Sequence, residues 1–141
     1  GLTNDMVVVG YGASELEDLL EDELVKSGRY INPDPNPEKG YFYRSDHISF
    51  AKRGVPVLYA DGGFDLVDGG REIGFIIEEQ YRLDAYHGVD DEYDENWNLD
   101  GLNQSIDVIF NISNELANSP QWPNWYEGNE FKAIRDRQRS N

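Results

Sequence analysis

The sequence predicts an α/β protein with a largely parallel sheet, because short apolar runs alternate with segments of helical periodicity. The first run, residues 6–9, is rich in valine and ends at Gly10, as expected for a buried strand. Leucines at helical spacing follow it: Leu16, Leu19, Leu20 and Leu24. A second apolar run covers residues 55–60, and the longest amphipathic pattern follows Asp100. This alternation is typical of parallel strands joined by crossover helices.

Local signals predict the ends of the first helix and the course of the chain after it. Ser14 and Glu17 match a capping box, in which the serine caps the helix and the glutamate reaches back to it. Gly28 lies where a glycine commonly ends a helix, and Tyr30 with Ile31 follows as a short strand. The next prolines favour an extended, non-helical connection: Pro33, Pro35 and Pro37.

The second half of the chain contains a short helix, a strand, an ambiguous segment and the longest helix. We expect the short helix over about 46–53, the strand over 55–60 and a loop rich in glycine and aspartate over 61–70. Residues 73–83 fit either a strand or a helix. The longest helix has apolar residues at Leu102, Ile106, Ile109, Phe110, Leu116 and Ala117. From Ser119 the chain becomes an aromatic tail with a charged end.

Composition limits the possible classes of function. A chain of 141 residues with 38% hydrophobic content can form a domain core. The 28 acidic and 12 basic residues give a net charge of −16, which argues against binding to nucleic acid or to an anionic membrane surface. The absence of cysteine excludes disulfides, thiolate nucleophiles and cysteine-ligated zinc. No apolar run is long enough to span a bilayer.

Two short patterns resemble known binding motifs but depart from them. Residues 10–12, Gly-Tyr-Gly, lie between a strand and a helix as in a dinucleotide-binding turn, but the third glycine position is Glu15. A carboxylate there would repel the pyrophosphate. The aspartates at Asp61, Asp65 and Asp68 do not have calcium-loop spacing, so we expect a solvated loop.

The two histidines are the residues best suited to metal chemistry. His47 lies in an aromatic and acidic segment, and His87 precedes the acidic stretch 90–94. A loop histidine beside carboxylates is a candidate metal ligand, because a neighbouring acid fixes its tautomer and raises its basicity. From the residues alone, a surface or hydrogen-bonded histidine is the alternative.

Two blocks of sequence resemble bacterial zinc aminopeptidases, which are co-catalytic di-zinc exopeptidases related to glutamate carboxypeptidase and glutaminyl cyclase. The first block, residues 38–63, contains Ser45-Asp46-His47 and Arg53-Gly54-Val55-Pro56. The second block resembles the closing signature of that family, with Tyr86, His87, Asp90, Glu92, Tyr93, Asp94 and Trp97. The order and separation of the blocks agree with the family, and the resemblance extends through residues 122–126.

This resemblance implies the C-terminal part of a zinc-exopeptidase-like, three-layer α/β/α fold with a mostly parallel mixed sheet. It also implies a division of the chain into two parts. Residues 1–118 would be the C-terminal portion of a zinc peptidase catalytic domain. Residues 119–141 would be an aromatic and charged tail that packs on it.

The resemblance assigns roles to six residues. His87 matches the family's zinc ligand. The Ser45, Asp46 and His47 turn matches a segment that contacts substrate and hydrogen-bonds around the active site, and Tyr43 and Tyr86 join this group. Some relatives use a tyrosine three residues before the serine to stabilise the tetrahedral intermediate, whereas this chain has Phe42 there. Many relatives have a proline after the zinc ligand, and this chain has Gly88-Val89.

Most of the family's metal ligands have no counterpart in this sequence. No His-x-Asp motif occurs, and the pair Glu78-Glu79 lies on the wrong side of the Ser-Asp-His turn, so we interpret it as a solvated helix face. A catalytic zinc needs three protein ligands and an open position. The sequence therefore predicts the C-terminal portion of an aminopeptidase that hydrolyses N-terminal peptide bonds through a water activated by two zinc ions. Alone, it should be inactive and hold zinc weakly.

Two other interpretations and several expectations follow from the same resemblance. The chain could be a non-catalytic, zinc-peptidase-like binding module or a glutaminyl-cyclase-like acyltransferase. Its partner would be a peptide substrate, with no nucleic acid and no membrane, and surface exposed by truncation could lead to self-association. The family implies a periplasmic or secreted location in a bacterium.

Overall fold

The computed structural model describes residues 1–140, so the last residue of the predicted tail, Asn141, lies outside the described residues. The strands are β1 (Asp5–Val8), β2 (Tyr30–Pro33) and β3 (Ala60–Gly62). The helices are α1 (Leu16–Lys26), α2 (Ile48–Ala51), α3 (Gly70–Asp84), α4 (Asp100–Ala117) and α5 (Lys132–Arg139). Two short 3-10 turns, Pro37–Lys39 and Tyr41–Arg44, precede α2.

The three strands form a mixed sheet in the order β2-β1-β3, which confirms the α/β fold class. β1 is central and pairs in parallel with β2, placing Asp5 beside Tyr30. It pairs antiparallel with β3, placing Met6 beside Gly62. The sheet therefore has one parallel and one antiparallel pair, with α1 as the crossover helix between the parallel strands.

The third strand lies later in the chain than the predicted range 55–60, and that prediction is wrong by about five residues. Pro56 has no N–H to donate, and the carbonyls of this segment accept isolated hydrogen bonds instead of forming the regular hydrogen-bond ladder of a strand. The Val57 carbonyl accepts the Ser14 hydroxyl at 3.0 Å, and the Tyr59 carbonyl accepts the Val9 N–H at 2.9 Å. Regular pairing begins only at Ala60.

Of the two contacts of the predicted capping box at the N-terminus of α1, the glutamate contact is present and the serine contact is absent. The Glu17 carboxylate reaches back as expected and accepts the N–H groups of Gly12 at 2.8 Å and Ala13 at 2.7 Å. The Ser14 hydroxyl does not cap the helix, because it donates to the Val57 carbonyl. The buried Glu17 carboxylate thus occupies the turn where a dinucleotide phosphate would lie, in agreement with the departure seen at Glu15.

Two apolar clusters form the core. One joins the sheet to α1 and α4 through Met6, Val8, Leu20, Leu24, Val108 and Ile112. The other joins the end of β1 to the segment around α2 and to the tail through Val9, Ala13, Phe42, Ala51, Trp125 and Phe131. The Trp125 side chain is only 1% exposed, so the second cluster depends on residues beyond 118.

The ambiguous segment 73–83 belongs to α3. Gly74 packs closely against the loop before the helix, where an added Cβ would collide with the Phe64 carbonyl oxygen. The rings of Phe64 and Phe75 stack with centroids 4.4 Å apart. These contacts bring α3 against the β3–α3 connection and place the helix beside the candidate site.

One face of α4 is apolar and exposed. Four side chains on it, Leu102, Ile106, Ile109 and Phe110, are 40–64% exposed. They form an apolar groove of about 650 Å³ with Met6 and Ala60 of the adjoining strands. β3 is also an edge strand, with no strand on its outer side within residues 1–140. None of the helices in this range is both long and apolar enough to cross a membrane.

Candidate active site

The Ser-Asp-His turn connects the second 3-10 turn to α2. The Ser45 hydroxyl donates to the Tyr41 carbonyl at 3.0 Å, which closes the 3-10 turn. Asp46 is exposed, and His47 is the residue immediately before α2. The predicted helix over 46–53 is thus present in its central part, Ile48–Ala51. The segment holds His47 against the second core cluster.

The His47 ring is packed against two aromatic rings. Its centroid lies 4.7 Å from that of Phe42 and 5.4 Å from that of Tyr59. Its Nε2 atom is buried without a hydrogen-bond partner. Burial lowers the pKa of His47, although a backbone hydrogen bond with Phe42 and the charge of Asp46 act in the opposite direction. The neutral imidazole is therefore the form that this packing favours.

The lowered pKa of His47 predicts a pH-dependent contribution to stability. As the pH falls below about 6.5, His47 becomes protonated in the unfolded chain before it does so in the folded chain, because unfolding exposes the ring to water. The contribution is therefore present above that pH and is lost as the pH falls through the folded-state pKa. We expect the difference in unfolding free energy between the wild type and His47→Gln, measured in urea, to decrease from pH 8 to pH 5. A difference that is constant with pH would contradict this account.

His87 lies in the loop after α3, and its backbone has a left-handed conformation with φ of 59°. Its side chain is exposed, and its ring stacks on Tyr86 with centroids 3.9 Å apart and an interplanar angle of 20°. The His87 N–H donates to the Asp91 carboxylate at 2.9 Å. The predicted ligand is thus accessible, and its backbone is hydrogen-bonded within the loop.

A cleft of about 570 Å³ lies between the carboxyl end of β1 and α3. Tyr86 lines it together with five other aromatic residues: Tyr41, Tyr59, Phe64, Phe75 and Tyr81. Four carboxylates and two cations also line it: Asp34, Asp61, Glu78, Glu79, Lys39 and Arg82. An aromatic wall with polar groups is typical of a site for an organic ligand.

Tyr43 lies on a neighbouring cleft of about 560 Å³. Its hydroxyl donates to the Glu130 carboxylate of the tail at 2.9 Å, which raises the pKa of Tyr43. The two clefts share Asp34 and Tyr41 in their walls. The structure therefore places Tyr43 and Tyr86 on adjoining clefts. The remaining predicted residues, Ser45, Asp46, His47 and His87, line neither of these two clefts.

Tyr41 and Glu78 belong to the cleft wall but were not predicted as site residues. Glu78 and Glu79 are exposed on α3, and Glu79 lies 3.6 Å from the Arg82 guanidinium. Glu78 precedes Tyr81 by three positions, a spacing that places both on one helix face. That spacing could have indicated a surface shared by Glu78 and Tyr81, but only once residues 73–83 were known to be helical.

The residues present do not form a metal centre by themselves. Within residues 1–140, no group of three histidine, aspartate or glutamate side chains is arranged to hold a metal ion. The Asp65 N–H donates to the buried Asp5 carboxylate at 2.9 Å, a structural contact within the predicted aspartate-rich loop. A zinc centre of the predicted kind would need ligands beyond His87.

A family model supports the resemblance found in the two sequence blocks. It describes peptidase family M28 and matches residues 2–113, a range that contains the Ser-Asp-His turn, α3 and His87. Comparisons with curated proteins and with solved structures gave no match. Since the family model covers most of the chain and the fold is α/β, the chain belongs to peptidase family M28 and is a metallopeptidase-like protein.

Proposed function

We propose that the chain is the C-terminal portion of a zinc aminopeptidase and contributes one metal ligand, His87, and part of the substrate-binding wall. The observation that carries this proposal is the combination of the family match over 2–113 with an incomplete ligand set. An exposed imidazole in a fixed loop is suited to complete a metal site with ligands from another segment. The aromatic cleft beside it, with Tyr86 in its wall, is suited to a peptide substrate.

The exposed apolar surface supports the same proposal. The α4 groove and the free edge of β3 are adjacent, because Ala60 and Gly62 line the groove together with Leu102 and Ile106. In a complete α/β domain, the faces and edges of a sheet are normally covered by further strands and helices. We propose that the rest of the catalytic domain covers this surface.

The test uses the protein expressed from its complete coding sequence. We expect it to hydrolyse amino-acyl p-nitroanilides, to lose this activity with EDTA and to regain it with zinc. His87→Ala should lower both the zinc content and kcat/KM, the latter by at least about 100-fold, since even residues that only support a metal ligand account for 10–100-fold. Glu95→Ala, an exposed change in the same loop, is the matched control.

Other outcomes of this assay identify the alternatives. Zinc-dependent conversion of N-terminal glutamine to pyroglutamate without peptide hydrolysis would indicate a glutaminyl-cyclase-like acyltransferase. A protein that holds no zinc and has neither activity would be a non-catalytic binding module. Full activity in His87→Ala would remove the assignment of this residue as a ligand.

The chain of 141 residues by itself should self-associate through the α4 groove despite its charge of −16. Exposed apolar surface of this kind favours association, and added salt should increase it by screening the repulsion between acidic chains. We expect light scattering to give a mass above that of the monomer, and Ile106→Glu to lower it. Val25→Glu, at an exposed apolar site on α1, is the control. A monomer at all salt concentrations would contradict this expectation.

A further inference from the structure

The backbone at His87 requires a specific restraint. His87 is the one non-glycine residue within residues 1–140 that has a positive φ. A side chain in this region crowds its own backbone, so the conformation persists only where neighbouring contacts maintain it. Gly88 follows directly and could adopt such a conformation without crowding, yet the chain places the left-handed turn at the histidine.

The Asp91 carboxylate supplies two contacts that restrain this loop. One oxygen, Oδ2, accepts the His87 N–H at 2.9 Å. The other, Oδ1, accepts the Tyr81 hydroxyl from the last turn of α3. Since both oxygens are used, Asp91 links the loop to the helix before it. The Gly88 N–H also donates to the Ala85 carbonyl at 2.7 Å, which closes the turn around His87.

We propose that Asp91 is a positioning residue for His87. Its carboxylate holds the left-handed backbone and thereby sets the direction in which the imidazole leaves the chain. In this arrangement the ring lies against Tyr86, with 3.9 Å between centroids. The same carboxylate fixes Tyr81, so it connects the candidate ligand to two tyrosines of the cleft wall. The role of His87 as a metal ligand rests on the proposed function, whereas its positioning by Asp91 rests only on the hydrogen bonds described above.

The test is an NMR comparison of the chain with its Asp91→Ala variant. The wild type should show an upfield ring-current shift of the His87 ring protons and slow exchange of the His87 amide. In Asp91→Ala the upfield shift should disappear, and the amide should exchange at least about tenfold faster, since it loses a hydrogen bond to a charged acceptor. Asp90→Ala removes the neighbouring acid and should match the wild type in both signals.

Two further variants keep the result interpretable. Tyr81→Phe removes only the helix contact and should have an intermediate effect. Asp91→Asn keeps one acceptor oxygen and should retain more amide protection than Asp91→Ala. An unchanged Trp125 indole resonance in each variant would show that the fold is intact. A wild-type ring shift and amide exchange in Asp91→Ala would overturn the inference.

The complete protein separates this inference from the proposed function. If His87 is a zinc ligand and Asp91 positions it, Asp91→Ala should weaken zinc binding by about 10–100-fold, as expected for a residue that orients a ligand. Altered NMR signals without any zinc binding in the complete protein would support the positioning role and reject the metal function. Normal zinc binding together with wild-type NMR signals in Asp91→Ala would reject the positioning role alone.

Discussion

Replacing Trp125 by alanine should destabilise the chain by about 3–5 kcal/mol, the range typical for removal of a buried tryptophan. Trp125 is 1% exposed and packs against Phe131, with ring centroids 5.2 Å apart. Its indole N–H donates to the Gly54 carbonyl at 3.1 Å, which connects the tail to the turn after α2. The substitution would leave a cavity and an unpaired carbonyl at the centre of the second cluster. Urea unfolding followed by circular dichroism measures the loss.

Two other substitutions show whether the effect comes from burial. Trp122→Ala should cost less than about 1 kcal/mol, because Trp122 is 65% exposed. Trp125→Phe keeps an aromatic ring but loses the hydrogen bond to Gly54, so we expect an intermediate loss of about 1–3 kcal/mol. Equal losses for Trp122→Ala and Trp125→Ala would show that the tail is not part of the core. In that case the assignment of Trp125 to the second apolar cluster would be wrong.

Replacing Asp5 by alanine should have the second largest effect, about 2–4 kcal/mol, because it breaks a buried polar network. The Asp5 side chain is fully buried in the central strand. Its carboxylate accepts the Asn32 amide at 2.8 Å and the Asp65 N–H at 2.9 Å. The buried Arg29 guanidinium, which donates to the Asp5 carbonyl at 2.8 Å, would also lose a nearby negative charge. Unfolding free energies from urea titration give the magnitude.

A double substitution tests the Asp5–Asn32 hydrogen bond directly. Asp5→Asn alone should cost about 1–3 kcal/mol, because the asparagine has one acceptor oxygen where the carboxylate uses two, one for the Asn32 amide and one for the Asp65 N–H. Combining it with Asn32→Asp restores a donor and an acceptor with the same number of charges. We expect the double variant to recover at least about 1 kcal/mol relative to the sum of the single losses. Strict additivity would show that the two side chains do not interact in solution.

Local sequence patterns were enough to place the first two strands and the helices α1 and α4, whereas residues 73–83 of α3 fitted either a strand or a helix. The predicted strand 6–9 and the strand at Tyr30 correspond to β1 and β2, which lie within one or two residues of these positions. The longest amphipathic pattern corresponds to α4, Asp100–Ala117. Gly28 has a φ of 71° and ends α1, as the sequence predicted. These features depend on periodicity and on end signals within one segment, so a single sequence contains them.

Features that depend on distant partners were not predictable in this way. The position of β3 depends on where the carbonyls of 57 and 59 find donors from other segments. The Ser14 hydroxyl donates to the carbonyl of Val57, 43 residues away, instead of capping α1. For the site, the sequence indicated His87 and Tyr86 through a resemblance. It did not indicate the Tyr41 and Glu78 parts of the cleft wall, because no local pattern records that a cleft lies between α3 and the carboxyl end of β1.

The sequence by itself determined the α/β class, the acidic and cysteine-free chemistry, and the family whose motifs surround the two histidines. Only the tertiary structure decided that β3 runs antiparallel to β1, that Trp125 belongs to the core and that the Ser14 hydroxyl donates to the Val57 carbonyl. The physical reason is the sequence separation of the residues that interact. Helical periodicity and turn residues act over a few positions, whereas strand direction, burial and shared hydrogen bonds depend on which distant groups meet when the chain folds.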